Sequence, residues 1–114
     1  MIDPRRWLAI IGAMVSSCAT PTRTMRAPNG GESYVDVMTY NVNYGLAGDP
    51  QTLAAIAAGD ADLVFLQETT AAWETEIRAG LSTAYPHMVF HHCCGAGGLA
   101  VLSRVPLLRA DVLP

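Results

Sequence analysis

The stretch "LVFLQET", residues 63–69, decides how this chain is read. Four apolar residues run directly into Gln67 and Glu68. A run of that length predicts a strand buried on both faces. Ending such a strand on a carboxylate demands something for the carboxylate to face. Upstream, "YVDVMTYNV" is β-branched and aromatic and predicts a strand over residues 35–42. Between the two, "NYGLAGDP" is a loop, and Asp49-Pro50 starts a helix, with Asp as the cap and Pro at the first helical position. Apolar residues at 53, 56 and 57 follow at helical spacing, and Gly59 ends the run.

The pattern continues downstream. Thr69 or Thr70 caps a second helix, with Trp73, Ile77 and Leu81 as its core stripe and Glu74, Glu76 and Arg78 toward solvent. Pro86 stops it. "HMVFHH" predicts a third strand, "CCGAGG" a turn, and "LAVLSRVPL" a fourth strand broken at Pro106. "LLRADVL", residues 107–113, reads as the start of a fifth. The order is β-α-β-α-β-β, an α/β fold. Strands joined by a helix are usually parallel neighbours with a right-handed crossover. The carboxyl ends of the first two strands then meet at one edge of the sheet, where open α/β sheets place their ligands. Glu68 faces a site that Asn41 also borders.

Composition sets limits. The 114 residues suffice for one small domain. At 51% hydrophobic and 15% charged the chain is globular. Net charge is −3, with seven Arg and no Lys, so no basic patch announces nucleic acid. A phosphate-handling site here needs a metal or locally placed Arg.

The first residues read as a processing segment. In "MIDPRRWLAIIGAMVSSCAT", Arg5 and Arg6 precede an apolar run from Trp7 to Val15, then Ser16, Ser17 and Cys18. This is the layout of a bacterial export signal, and the run is too short for a stable bilayer span. "VSSC" also resembles a lipobox, which would make Cys18 the lipidated first residue and the membrane a partner through its lipid anchor. The domain reading is therefore a signal peptide over 1–17, a Thr/Pro/Gly-rich flexible tether over 18–34, and a folded part over 35–114. The expected location is the bacterial cell envelope, or the medium if Cys18 is not lipidated.

An Asn carbonyl and a Glu carboxylate are hard oxygen donors, the kind Mg²⁺ takes alongside waters and phosphate oxygens. Asn43 points to the same face as Asn41 if the strand persists. "VMTYNVNYG" followed by "DADLVFLQET" resembles the two opening motifs of the endonuclease/exonuclease/phosphatase superfamily, which shares the fold of pancreatic deoxyribonuclease. "GGLAVLSRVPL" is similar to that family's third block. The resemblance covers about residues 35–114. It implies the N-terminal half of a four-layer α/β/β/α sandwich and metal-dependent phosphoester hydrolysis with Mg²⁺ or Mn²⁺. Glu68 matches the metal-binding Glu. Asn41 matches the Asn that borders metal and phosphate, a catalytic and metal-site position. Asn43 falls where some nucleases carry an acidic residue, and Arg104 and Ser103 belong to the third block. Asn43 and Arg104 are thereby candidate substrate contacts, a strand-end Arg with a solvated head being the equal alternative for Arg104. Gln67 is expected to be structural, tying neighbouring loops.

The family's later Asp-x-Asn and Ser-Asp-His motifs do not occur by residue 114; Leu113 stands two residues after Asp111. The expectation is a fragment of a larger enzyme, marginally stable and inactive alone, with one apolar sheet face bare. The substrate would be a phosphoester (nucleic acid, phospholipid headgroup or inositol phosphate), and no protein partner is expected. Two other readings stand beside it: a non-catalytic envelope lipoprotein with a structural or interaction role, and an α/β domain that binds a nucleotide without hydrolysis. In "HHCC", residues 91–94, four successive residues cannot easily aim at one zinc ion. Cys93 and Cys94 read as loop thiols; a strained vicinal disulfide or pairing across chains are the alternatives. No role is transferred to His87, His91 or His92. "GAGG" is a tight turn.

The anchor is directly testable. Radiolabelled palmitate should enter the wild-type chain expressed in a bacterium and should not enter Cys18→Ser; equal labelling of both would remove Cys18 as the lipid site.

Overall fold

The structure is a computed structural model and describes residues 29–113. The export signal and Cys18 lie outside the described residues, as does most of the tether. Four strands form one sheet: β1 (Val37–Asn41), β2 (Leu63–Gln67), β3 (His87–His91) and β4 (Leu99–Ser103), in the order β1-β2-β4-β3. Helix α1 (Pro50–Ala58) joins β1 to β2, and α2 (Ala71–Leu81) joins β2 to β3.

β1 and β2 are parallel and adjacent, as a short βαβ crossover requires. β4 runs antiparallel to both β2 and β3. One cross-strand row therefore reads Asn41, Gln67, Leu99, His91, and the row at the other end reads Val37, Leu63, Ser103, His87. The carboxyl ends of β1, β2 and β3 share a single edge.

Local chemistry places the helices. The Asp49 carboxylate accepts hydrogen bonds from the Thr52 amide and hydroxyl, both at 2.8 Å. These bonds, the hydroxyl's first, hold its carboxyl below the usual range. Pro50 occupies the first turn, where its missing N–H is not required. The Thr70 hydroxyl accepts from the Trp73 amide at 3.1 Å and caps α2.

Strand alternation then divides the sheet. Val64 and Leu66 of β2 and Ala100 and Leu102 of β4 point toward the helices and are buried against Ile56, Trp73, Ile77 and Leu81. The expected stripe on α2 is thus the core. The opposite face is open. Phe65 is 41% exposed, Val89 39% and Leu99 44%, so the continuous apolar run of β2 is buried on one face only. Residues 110–113 run past this face and, with Phe65, Val89, Leu99 and Val101, line a groove of ≈ 460 Å³.

The expected fifth strand does not form; residues 107–113 are irregular. Pro106 cannot donate to a ladder, and Arg109 pairs with Asp111 within the segment. Among the described residues no helix is long and apolar enough to cross a membrane.

An open apolar face should bind hydrophobic dye. Replacing Phe65, Val89 and Leu99 with Thr together should lower 8-anilinonaphthalene-1-sulfonate fluorescence without lowering the thermal midpoint, because none of the three sits in the buried core.

Candidate functional site

The edge shared by β1 and β2 brings Asn41 and Glu68 together. The Asn41 Nδ2 donates to Glu68 Oε1 at 2.7 Å, and the Tyr44 amide donates to Oε2 at 3.3 Å. The Asn41 Oδ1 accepts from the Asn43 amide at 2.9 Å. That last bond fixes which way the side-chain amide faces. Asn41 accordingly presents nitrogen to the carboxylate and oxygen to the backbone. The two side chains are neighbours, and the amide orients the carboxylate instead of lending its oxygen beside it.

Glu68 lies one residue beyond β2 with φ of 61°. A left-handed backbone at a non-glycine residue costs of order 1–3 kcal/mol and persists only where its surroundings hold it. Here the two bonds to its carboxylate, together with the next residue, do so. Thr69 is buried, and its amide donates to the Gly98 carbonyl at 3.1 Å. Gly98 packs so closely on the Thr69 backbone that no Cβ fits there. The 92–98 turn thereby supports the segment that carries Glu68.

Asn43 has a different position from the one its spacing predicts. The strand ends at Asn41, and Asn43 adopts φ of 59°, a conformation Asn tolerates well. Its Oδ1 accepts from the Gly45 amide at 3.1 Å, an Asx-type turn. Its carbonyl accepts from the Trp73 indole N–H at 2.8 Å. The expectation that the strand persists through Asn43 is therefore corrected: the chain turns there, because two bonds to Asn43 and a left-handed backbone replace the ladder.

Arg104 stands at the other end of the sheet. It follows Ser103, whose cross-strand partner is Leu63. Its guanidinium is bonded to Asp60, lies 4.0 Å from Asp62 and sits 5.6 Å from the centre of the Tyr85 ring. The Asp60 hydrogen bond leads in holding it fully protonated. The structure does not bring Arg104 to Asn41 and Glu68. Ser103 is buried, bonded through its hydroxyl to Val105. Gln67 ties strands instead of loops: its Nε2 donates to Thr39 Oγ1 at 2.8 Å on the neighbouring strand.

Two supports of this site leave little trace in the sequence. Trp73 reads as core, and it is fully buried, yet its N–H also anchors the 43–45 turn. A buried indole needs a partner, which is the signal that could have flagged it. The close approach at Gly98 has no comparable trace beyond the glycine itself.

The donor set is narrow. Among the described residues no three His, Cys, Asp or Glu side chains converge. A structural zinc site or an all-protein calcium cage needs more ligands than the Asn41–Glu68 pair offers. A single oriented carboxylate fits Mg²⁺, which keeps several waters and takes one or two carboxylates.

The model of the endonuclease/exonuclease/phosphatase family matches residues 38–114. The chain belongs to this family. The match takes in β2 and all of β1 but Val37, with Asn41 and Glu68 at their tips. Comparisons with curated proteins and with solved structures found no match.

The support from the 92–98 turn can be measured. Gly98→Ala should destabilise the domain by about 1–3 kcal/mol, the usual range for an added carbon with no room. Urea denaturation reads the loss, and hydrogen exchange at the Thr69 amide should rise ahead of the amides of the β2 core.

Proposed function

We propose that this chain supplies the metal-binding end of a phosphoester hydrolase. Glu68 holds Mg²⁺ or Mn²⁺ through its carboxylate, and Asn41 positions that carboxylate. The observation that carries this reading is the 2.7 Å bond between Asn41 and Glu68 at the ligand-binding edge of a parallel strand pair. Bound there, the ion would polarise a phosphoryl oxygen and steady the leaving oxygen.

Each protein residue has a separate task. Glu68 provides the negative charge at this edge, where no group of three or more His, Cys, Asp or Glu converges among the described residues. Asn41 removes rotational freedom from Glu68, and the Tyr44 amide fixes the second carboxylate oxygen. The Trp73 N–H holds the turn from which that amide projects. Asn43, turned by its own side chain, lines the rim next to the pair and is the closest candidate for a neutral substrate contact. Arg104 is bound into a structural ion-pair group, so substrate charge is met by the ion in this reading.

The substrate is a phosphoester, whether in a nucleic acid, a phospholipid headgroup or an inositol phosphate. Catalysis requires groups that orient the nucleophile and leaving group, and the open sheet face is the surface against which a second sheet carrying them would pack. The chain by itself is accordingly expected to bind metal without turnover. Export, and tethering to the membrane through Cys18, rest on the composition of residues 1–18.

Manganese electron paramagnetic resonance tests the core of the proposal. Glu68→Gln should weaken Mn²⁺ binding at least about tenfold, since the site then loses its one charged donor. Asn41→Ala should weaken it less, by freeing the carboxylate without removing it. Unchanged Mn²⁺ affinity in Glu68→Gln would sink the assignment. Hydrolysis of bis-(p-nitrophenyl) phosphate by the chain alone would show that no second sheet is needed.

A further inference from the structure

The segment between β3 and β4 is pinned at both ends. His92 Nε2 lies 2.6 Å from Glu74 Oε2, and the other oxygen of Glu74 accepts from Arg78 at 2.7 Å. Burial pushes the Glu74 carboxyl up, but the bonds and charges of Arg78 and His92 outweigh it and hold the carboxyl low. At the far end the Gly98 carbonyl accepts the Thr69 amide. Cys93 and Cys94 stand between these anchors, both exposed and unbridged.

Their sulfurs converge. The two Sγ atoms are 3.2 Å apart. Gly97 backs them: a Cβ there would lie 3.3 Å from Cys93 Cβ and Sγ. The Gly97 amide closes the turn onto the Cys94 carbonyl at 3.0 Å. Neighbours on an extended strand would point to opposite faces. This pair does not, because the chain leaves β3 at His91 and turns.

A convergent adjacent dithiol can close in two ways. A direct disulfide needs Cα atoms roughly 4.4–6.8 Å apart, and adjacent residues offer only about 3.8 Å. The bond would be strained and easily reduced. Inserting a third atom relieves that strain. With bonds to sulfur of about 2.3 Å, the 3.2 Å separation corresponds to an angle of roughly 90° at the inserted atom. A tetrahedral ion would need the sulfurs about 3.8 Å apart on the same bond length, and a linear one further still. Near-right-angled bonds suit a pyramidal trivalent centre; square-planar and octahedral ions share that angle but call for more ligands than the two sulfurs. No third protein ligand converges among the described residues, which suits a centre satisfied by two sulfurs.

We propose that Cys93 and Cys94 form a chelating site for trivalent arsenic, taken up as arsenous acid or as a monosubstituted arsenical. Each thiol proton leaves with one arsenic-bound hydroxide as water. Two As–O bonds break, two As–S bonds form, and arsenic stays trivalent. No oxidant or reductant takes part. The Cys93 hydrogen bond, then its charge, pushes the Cys94 thiol up. The site goes beyond the metal reading of Glu68 and does not depend on it.

Phenylarsine oxide is the probe, on the reduced full chain carrying Cys18→Ser so that only the pair reacts. Intact mass spectrometry should show one adduct per chain, kept in excess glutathione and removed by 2,3-dimercaptopropanol. Cys93→Ser and Cys94→Ser should each weaken retention by about a hundredfold or more, since the second bond is then no longer intramolecular. Retention by either single variant as tight as the parent's overturns the proposal, as does stripping of the parent by glutathione. The chain unfolded in urea should hold the probe about tenfold less tightly, because the turn no longer preorganises the sulfurs. Equal affinity in urea would overturn the role given to the fold.

Discussion

The site depends on the register of one parallel strand pair. Asn41 and Gln67 are cross-strand partners, which puts Glu68 within a hydrogen bond of the Asn41 side chain. Side chains alternate along a strand, so a slip of one residue would send Asn41 to the other face. The register is held from both sides. Val64 and Leu66 must point at the helices to be buried. Beyond the strand, the Val42 amide continues the ladder onto the Gln67 carbonyl at 3.1 Å. Core packing and site geometry thus use the same constraint.

Glu68 then stands where the backbone is least comfortable. Its left-handed φ is unfavourable for a residue with an ordinary side chain. Bonds to its carboxylate, with net contributions of about 1.5–3 kcal/mol each for charged groups, are of the right size to offset that cost. The same bonds fix the direction of the carboxylate before any ligand arrives. Three further contacts hold the frame around it: Trp73 on the 43–45 turn, Thr69 on Gly98, and Gln67 on Thr39. They come from α2, the β3–β4 turn and β1, so the site is braced by most of the described fold. Strain held in place in this way is what the metal site proposed for Glu68 requires.

Local chemistry made much of this legible in the sequence. Asp49-Pro50 and Thr70 cap helices by bonds that span three residues, and a short window contains them. The stripe of Trp73, Ile77 and Leu81 follows from helical period alone. Features that depend on distant partners were not legible. Residues 107–113 have strand-like composition, but a strand needs a neighbour with free backbone groups, which composition cannot supply. Asn43 reads as a strand residue until its Oδ1 is seen to prefer the Gly45 amide. Arg104 sits in a recognisable block, yet Asp60 and Asp62, more than 40 residues earlier, decide where its charge goes.

The position of Arg104 bears on how the family motif should be understood. β4 begins at the Glu68 edge and ends at the opposite one, so the Leu-Ser-Arg stretch closes the far end of the sheet. Ser103 is buried and satisfied by Val105, and Arg104 clamps the turn between α1 and β2 while covering Tyr85. Each of these contacts is made within the described residues and needs no ligand. In this chain these contacts hold the start of β2. A strand anchored at its start by Arg104 and in register with β1 along its length delivers its last residue to a defined place. That is how a residue remote from the edge helps set the position of Glu68 without touching it.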